Sequence, residues 1–464
     1  MMKIAYGKIL LAIFILFLLF IIVSCTVPPA FHREITNESL SEYRSQGSVG
    51  ERVLCVDDNM DALLWRLRII EQAKEEIILS TFDFADDKSG RTVMSALYAA
   101  AERGVHVRIL VDGLNGEMKL VGNECFETLC AHSLVEAKIY NKINLLAPWT
   151  VNYRMHDKYL IADKEVYILG GRNTRDLFLG EHPDVYNVDR DILVYRDGGG
   201  EDSSVYALIG YFERVWSETC NYGIAGDIKP SLIDSGKEKL SKKYAEAKEL
   251  YPDAFSFDAW SESTYAADSV SLLFGETHTG NKAPLVWESI CEAAKGGSEI
   301  LIQTPYVVCS DEMYGDLAEL CRESRVAIIT NAVESGANPW GCTDYMNQKK
   351  NILKTGSEVY EYMGEQSLHA KTVLIDDSIS IVGSYNLDMR STYLDTEVML
   401  VIKCKELNAE LREKLADCMD ISKRVLPDGT EIPGVEYRER AIEFPKSLWY
   451  LVLRIAMIPL RHLL

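Results

Sequence analysis

The 464-residue sequence predicts a duplicated α/β fold, two sheet-and-helix halves that each carry one copy of a short motif. Two observations predict it. A strand–helix–strand pattern occurs from residue 76 and again from residue 298, and each copy leads, after a longer stretch, to a His-x-Lys motif. Strand, helix and strand in that order make a parallel pair with a crossover helix. The same unit twice in one chain is most economically an internal duplication.

Along the chain, Lys3 and Lys8 precede an unbroken apolar run, Ile9 to Val23. It is longer than many signal h-regions and shorter than a full span of about 20 residues. It ends in Ile22-Val23-Ser24-Cys25, which fits a lipobox whose cysteine takes a lipid. The alternative is an uncleaved signal anchor in which Cys25 is incidental. Either way residues 1–25 hold the protein on the membrane, and the two lysines favour a cytoplasmic N-terminus with the body outside. Residues 26–50, with Pro28-Pro29 and a polar stretch, are expected to be a linker.

The first half is expected over 51–228. Glu76 to Phe82 is strand-like, Val93 to Arg103 has helical apolar spacing, and Gly104 introduces a second strand, Val105 to Val111. A polar segment, 229–284, follows, with a solvated helix around Lys237 to Lys248. The second half, 285–430, repeats the order: Ser298 to Thr304, Met313 to Glu323, Val326 to Asn331. In the tail, 431–464, an apolar stretch with Trp449, Tyr450, Arg454 and Arg461 is too short to span. It suits an amphipathic helix at a membrane interface or one packed on the body.

The net charge is −21. Nucleic-acid binders need a basic surface to displace counterions, so no nucleic-acid partner is expected. The eleven cysteines form no Cys-x-x-Cys pair, and Cys125 and Cys130 lack a histidine spaced to complete a zinc site. Cys55, Cys291, Cys309, Cys321 and Cys404 lie in apolar stretches and are expected to be buried thiols.

The chemistry sits in two matched motifs. His156-Asp157-Lys158 is followed by Asp163 and by Gly170-Gly171-Arg172-Asn173. His369-Ala370-Lys371 is followed by Asp376 and by Gly383-Ser384-Tyr385-Asn386. In both, Lys is two, Asp seven and Asn seventeen residues after His. On a strand, a spacing of two points His and Lys to one side. One imidazole can attack phosphorus and form a phosphohistidine, while the other protonates the leaving alkoxide and then deprotonates the acceptor. Lys158 and Lys371 supply positive charge; Asn173, Asn386 and the Ser384 hydroxyl donate to the phosphoryl oxygens. With two lysines, neither a metal nor another cofactor is required. Asp163 and Asp376 enter as catalytic candidates, although structural pairing with nearby cations is favoured for both. Each imidazole also needs an acceptor on its second nitrogen. Glu397, and Asp189 in preference to Asp191, open strand-like stretches after the motifs and are the candidates.

HxKxxxxD followed by GxxN, twice, resembles the phospholipase D superfamily. Gly383 through Glu397, together with Asp86 to Arg91 and Met155 to Asn173, is most similar to bacterial cardiolipin synthases of the C type. The resemblance implies two α/β halves with the site between them. It implies His156 as nucleophile and His369 as acid/base, phosphate binding by Lys158, Lys371, Asn173, Asn386 and Ser384, and Glu397 orienting its own motif's histidine. Met389 stands where those synthases usually have proline, and Asp395 where they have asparagine. The implied function is phosphatidyl transfer between phosphatidylglycerol-type lipids at a cell membrane. The alternatives are hydrolysis to phosphatidic acid, cleavage of a nucleic-acid phosphodiester, and a non-catalytic membrane scaffold.

Overall fold

The computed structural model describes residues 2–464 except 34, 36–39, 182–183, 199, 201, 225–229, 257–259 and 443. Part of the expected linker and the boundary at 228/229 therefore lie outside the described residues.

Two nine-stranded sheets carry the body, and their central strands follow the same order. In the first, the order is Glu51–Val56, Asp191–Arg196, Val166–Gly170, Lys158–Ala162, Glu76–Thr81, His106–Asp112, Val135–Tyr140. In the second it is Ser269–Phe274, Val398–Lys403, Ile379–Gly383, Thr372–Ile375, Glu299–Gln303, Arg325–Asn331, Glu358–Tyr362. The expected crossover is present in each half, since Glu76–Thr81 pairs parallel to His106–Asp112 and Glu299–Gln303 parallel to Arg325–Asn331. The connecting helix of the first half begins at Lys88 rather than Val93. Asp87 caps it, accepting from the Gly90 amide at 3.0 Å, a local signal that apolar periodicity does not contain.

The halves are not separate bodies. One core holds Ile192 and Val194 of the first sheet together with Leu272, Leu400 and Ile402 of the second. Tyr211, on helix Ser204–Ser217, lies with its ring centroid 5.2 Å from that of Phe274. A buried arginine adds a polar clamp. Arg190 grips Asp57 through two hydrogen bonds (2.7 and 2.8 Å) and donates across the junction to Gln303 (2.8 Å) and Thr372 (2.9 Å).

Segment 229–284 is no free-standing connector. Its Ser269–Phe274 is a strand of the second sheet, and helix Pro230–Leu250 buries Leu240 and Ala247 against the first half while most of Lys237 to Lys248 is exposed, as expected of a solvated helix. The linker is also partly docked. Arg44 and Ser48 form β-bridges to Leu273 and Val270, and His32 stacks on Tyr393 with centroids 3.7 Å apart. All eleven cysteines are unpaired; Cys55, Cys291, Cys309 and Cys404 are buried and Cys321 is half-buried.

Ahead of the body, helix Met2–Thr26 stands away from it. The stretch Leu10–Ala30, most of it in this helix, is long and apolar enough to cross a membrane (mean hydropathy 3.1), and its most apolar part is unburied. It meets the body at its last turn, where the Cys25 carbonyl accepts from Asn152 and the Thr26 carbonyl lies 2.6 Å from His462 Nε2. Helix Phe444–Ala456 packs on the body through buried Tyr450 and Leu453, while Leu448, Trp449, Leu451, Val452 and Ile455 face outward.

Candidate active site

The two His-x-Lys motifs meet at the junction of the halves because each is threaded across it. Ser367-Leu368 pairs with Asn187-Val188, and Met155 bridges Thr396. The amides that follow continue the crossing: His369 N–H donates to the Val188 carbonyl (2.7 Å) and His156 N–H to that of Thr396 (3.3 Å). The histidines precede their strands instead of lying in them. The strands begin at Lys158 and Thr372, so the turn into each strand, and not the pleat, sets the side-chain directions.

This threading exchanges the orienting carboxylates. His156 Nδ1 lies 2.8 Å from Glu397 Oε1, and His369 Nδ1 lies 2.6 Å from Asp189 Oδ2. Each carboxylate thus serves the other half's histidine, which corrects the expectation that Glu397 orients His369. Asp191 is excluded from this place, since it pairs with Arg66 (2.9 Å) and Arg172 (3.6 Å) in the interior. The difference between Gly171 and Ser384 follows from the same geometry. A Cβ on Gly171 would stand 2.2 Å from Asp189 Oδ1, so only glycine leaves room for the shorter acid. Ser384 donates to Glu397 Oε2 and its oxygen accepts from the Val398 amide (3.0 Å). Its hydroxyl proton is thus directed to the carboxylate, where the sequence suggested a donor to a phosphoryl oxygen.

Lys158 Nζ and Lys371 Nζ both donate to the carbonyl of their own motif's histidine. Lys371 Nζ also lies 2.8 Å from His369 Nδ1, but the single Nδ1 proton goes to the Asp189 carboxylate. Asn173 Oδ1 accepts from the Asp83 amide (3.2 Å), and Asn386 Nδ2 lies 3.4 Å from the Tyr306 hydroxyl. Aromatic rings pack edge-on to both imidazoles, Phe82 on His156 and Phe178 on His369, with centroids 5.2 and 5.0 Å apart. Phe82, Phe178 and Tyr306 carried no recognisable sequence signal.

Asp163 and Asp376 do not belong to the site. Both occupy left-handed turns, φ 53° and 48°, which aspartate tolerates. Asp163 accepts from the amides of Lys74, Glu75 and Glu76 at 2.7–2.9 Å, and Asp376 from those of Ser298 and Glu299 at 2.9–3.0 Å. Their partners are chiefly backbone amides rather than cations, and they brace the entry to the central strand of each sheet.

Burial governs the site's electrostatics. It lowers the Lys158 ammonium to about 7, aided by repulsion from Lys371, and Lys371 to about 8. Burial and the adjacent lysines push His369 down to about 4 and hold His156 well below its usual range. The two carboxyls diverge. Burial raises Glu397 to about 7, whereas for Asp189 the same penalty is outweighed by His369 and Lys371, which keep it below the carboxylate range. Buried Asp157, beside His156, is also raised to about 7; its Oδ2 accepts from the Tyr211 hydroxyl at 2.9 Å. Such a site can hold an anion between two lysines and present one imidazole as nucleophile and a second as proton carrier. Among the described residues no group of three or more His, Cys, Asp or Glu is placed to hold a metal ion.

A family model described as "Cardiolipin synthase, PLD-like domain" matches residues 67–216 and 289–419. The chain is 25% identical to cardiolipin synthase C of Escherichia coli (strain K12), over 77% of this chain and 82% of that protein. It is 26% identical to a cardiolipin synthase of Clostridium perfringens (strain 13 / Type A), over 78% and 69%. The crystal structure of phosphatidylserine synthase from Haemophilus influenzae Rd KW20 superposes with a TM-score of 0.62 at 16% identity, covering 90% of this chain and 96% of that one, and so shares its fold. With both motifs intact at one junction, the chain belongs to the phospholipase D superfamily, in the family of cardiolipin synthase PLD-like domains, and is an enzyme of that type.

Proposed function

We propose that the protein is a cardiolipin synthase-like phosphatidyltransferase working through a covalent phosphohistidine. The observation that carries this reading is the exchanged pair of imidazoles, His156 on Glu397 and His369 on Asp189. An ionised partner stabilises an imidazolium better than a carboxyl held near neutrality. That assigns the proton carrier to His369 and the nucleophile to His156. In the first step the negative charge of the bound phosphodiester favours the His369 imidazolium over the neutral ring of the free site; His156 Nε2 attacks phosphorus, the P–O bond to the headgroup breaks, and His369 protonates the departing alkoxide. In the second, a lipid hydroxyl passes its proton to His369, its oxygen bonds to phosphorus, and the P–N bond breaks. Lys158, Lys371, Asn173 and Asn386 hold the non-bridging oxygens in both steps.

Phosphatidylglycerol is the proposed donor and acceptor. Transfer beats hydrolysis where the acceptor is held, since well-oriented reactants reach effective concentrations on the order of 10⁵ M or more. The membrane would supply it. Helix Met2–Thr26 serves as the anchor; its last turn meets Pro148 and Asn152, on the turn that carries exposed Trp149 and follows exposed Leu145 and Leu146, and His462, in the turn that follows helix Phe444–Ala456 with its outward apolar face. Purified protein incubated with phosphatidylglycerol vesicles should yield cardiolipin by mass spectrometry, and His156→Ala and His369→Ala should each abolish it. Phosphatidic acid as the sole product would replace transfer by hydrolysis, and half activity in either variant would mean two independent sites.

A further inference from the structure

We infer that Tyr306 is a positioning residue for the second phosphate-binding amide: its hydroxyl donates to Asn386 Oδ1 and so turns Asn386 Nδ2 toward the phosphoryl group. The inference rests on the reading above in which Asn386 holds a phosphoryl oxygen.

The first half shows what such an amide requires. Non-bridging phosphoryl oxygens are acceptors, so the amide must present its nitrogen to them and have its own oxygen taken up elsewhere. Asn173 meets that condition, because its Oδ1 accepts from the Asp83 amide at 3.2 Å. Tyr306 stands in the second half where Asp83 stands in the first, each seven residues after the glutamate that opens its central strand, Glu299 and Glu76. Here the side chain makes the contact, and the hydroxyl lies 3.4 Å from Asn386 Nδ2. In that orientation Asn386 Oδ1 is buried with no hydrogen-bond partner among the described residues. The second neighbour of the phenol is Asn338. Its Oδ1 caps helix Pro339–Lys354, accepting from the amides of Trp340 (3.1 Å) and Gly341 (3.4 Å), which leaves its Nδ2 to donate to the phenol oxygen. The phenol oxygen thus meets two amide nitrogens, neither of which can take its proton. Exchanging the two ends of the Asn386 amide satisfies both residues: the phenol proton goes to Oδ1, and Nδ2 moves to the side where Oδ1 had no partner. Burial holds the phenol far above its ordinary range, so it stays protonated and remains a donor. The ring is also fixed in place, since it lies against Gly341, where a Cβ would stand 2.8 Å from Tyr306 Cβ. It lines the cavity of about 270 Å³ that His369 and Asn173 share.

A double-mutant cycle on the full-length enzyme tests this. Headgroup release from phosphatidylglycerol vesicles gives kcat/KM, and competition by inorganic phosphate gives its Ki. Tyr306→Phe keeps the ring and removes the donor. It should lower kcat/KM by about 3- to 10-fold, the size of one neutral hydrogen bond, and raise the phosphate Ki by a similar factor, while the melting temperature stays near the parent's. Asn386→Ala should lose more. The double variant should be no slower than Asn386→Ala alone, because Tyr306 acts through that amide. Parent-like kcat/KM in Tyr306→Phe, or losses that multiply in the double variant, overturn the inference and leave the phosphate role of Asn386 standing. Parent-like kcat/KM and Ki in Asn386→Ala overturn both.

Discussion

Replacing Asp189 by asparagine tests the exchanged carboxylates without altering volume. The amide keeps an oxygen for the Arg190 N–H, which Asp189 Oδ1 accepts at 2.8 Å, and so turns its NH₂ toward His369 Nδ1. Two things are then lost. The charge-assisted hydrogen bond that stabilises the imidazolium disappears, worth about 1.5–3 kcal/mol. At about 1.4 kcal/mol per decade, this lowers kcat/KM by about 10- to 150-fold. An NH₂ facing Nδ1 also favours the tautomer protonated on Nε2, which moves the loss toward the upper bound. Initial rates of headgroup release from phosphatidylglycerol vesicles give kcat/KM, and calorimetry gives the melting temperature, which should stay near the parent's. Asp191→Asn is the control, because it breaks the buried pairs to Arg66 and Arg172 and should lower stability by about 3–5 kcal/mol. Parent-like kcat/KM in Asp189→Asn, or equal loss of rate and stability in both variants, would refute the assignment.

Three further outcomes follow from the geometry. The charges of Lys158 and Lys371, held down to about 7 and about 8, are lost as pH rises, so kcat/KM should fall on the alkaline side of neutrality. Glu397 is the neighbour that raises Lys158; Glu397→Gln should therefore move that limb to lower pH, and an unmoved limb in the pH–rate profile counts against it. Asp163→Ala and Asp376→Ala should each cost about 1–3 kcal/mol in denaturant unfolding while the folded fraction keeps its kcat/KM; a selective loss of rate would return them to the chemistry. Deleting residues 2–25 should release protein from the membrane fraction. Fatty-acid label lost on Cys25→Ala marks a lipidated cysteine, and firm attachment without label marks the signal anchor.

The duplicated sheets were legible because apolar strands and matched motif offsets are local. So were Asp189 and Glu397, each at the head of an apolar strand. Their pairing was not legible, because it depends on two short bridges, Met155 to Thr396 and Ser367-Leu368 to Asn187-Val188, which leave no periodicity. The substitution of Gly171 for Ser384 was the available sign: a side chain missing on one side only means that something occupies its space. Met389 is equally local. It is the first residue of helix Met389–Tyr393, capped by Asp388, a position where proline and most other residues fit. Asp395 accepts from the nearby Arg390 (3.3 Å) and, across the junction, from the Arg154 amide (3.2 Å), a contact invisible to a sequence reader.

The swap of carboxylates makes each half a lender and a borrower. A half expressed alone would keep its His-x-Lys motif and lose the acid that aims its ring, so an isolated half would carry a histidine with no fixed tautomer. Drift in one half is therefore felt in the other. A substitution near Asp189 disturbs the second motif, and one near Ser384 disturbs the first. The two copies can diverge on their outer surfaces, as the docked helix Pro230–Leu250 and the apolar face of Phe444–Ala456 illustrate, while the seam between them must change in step.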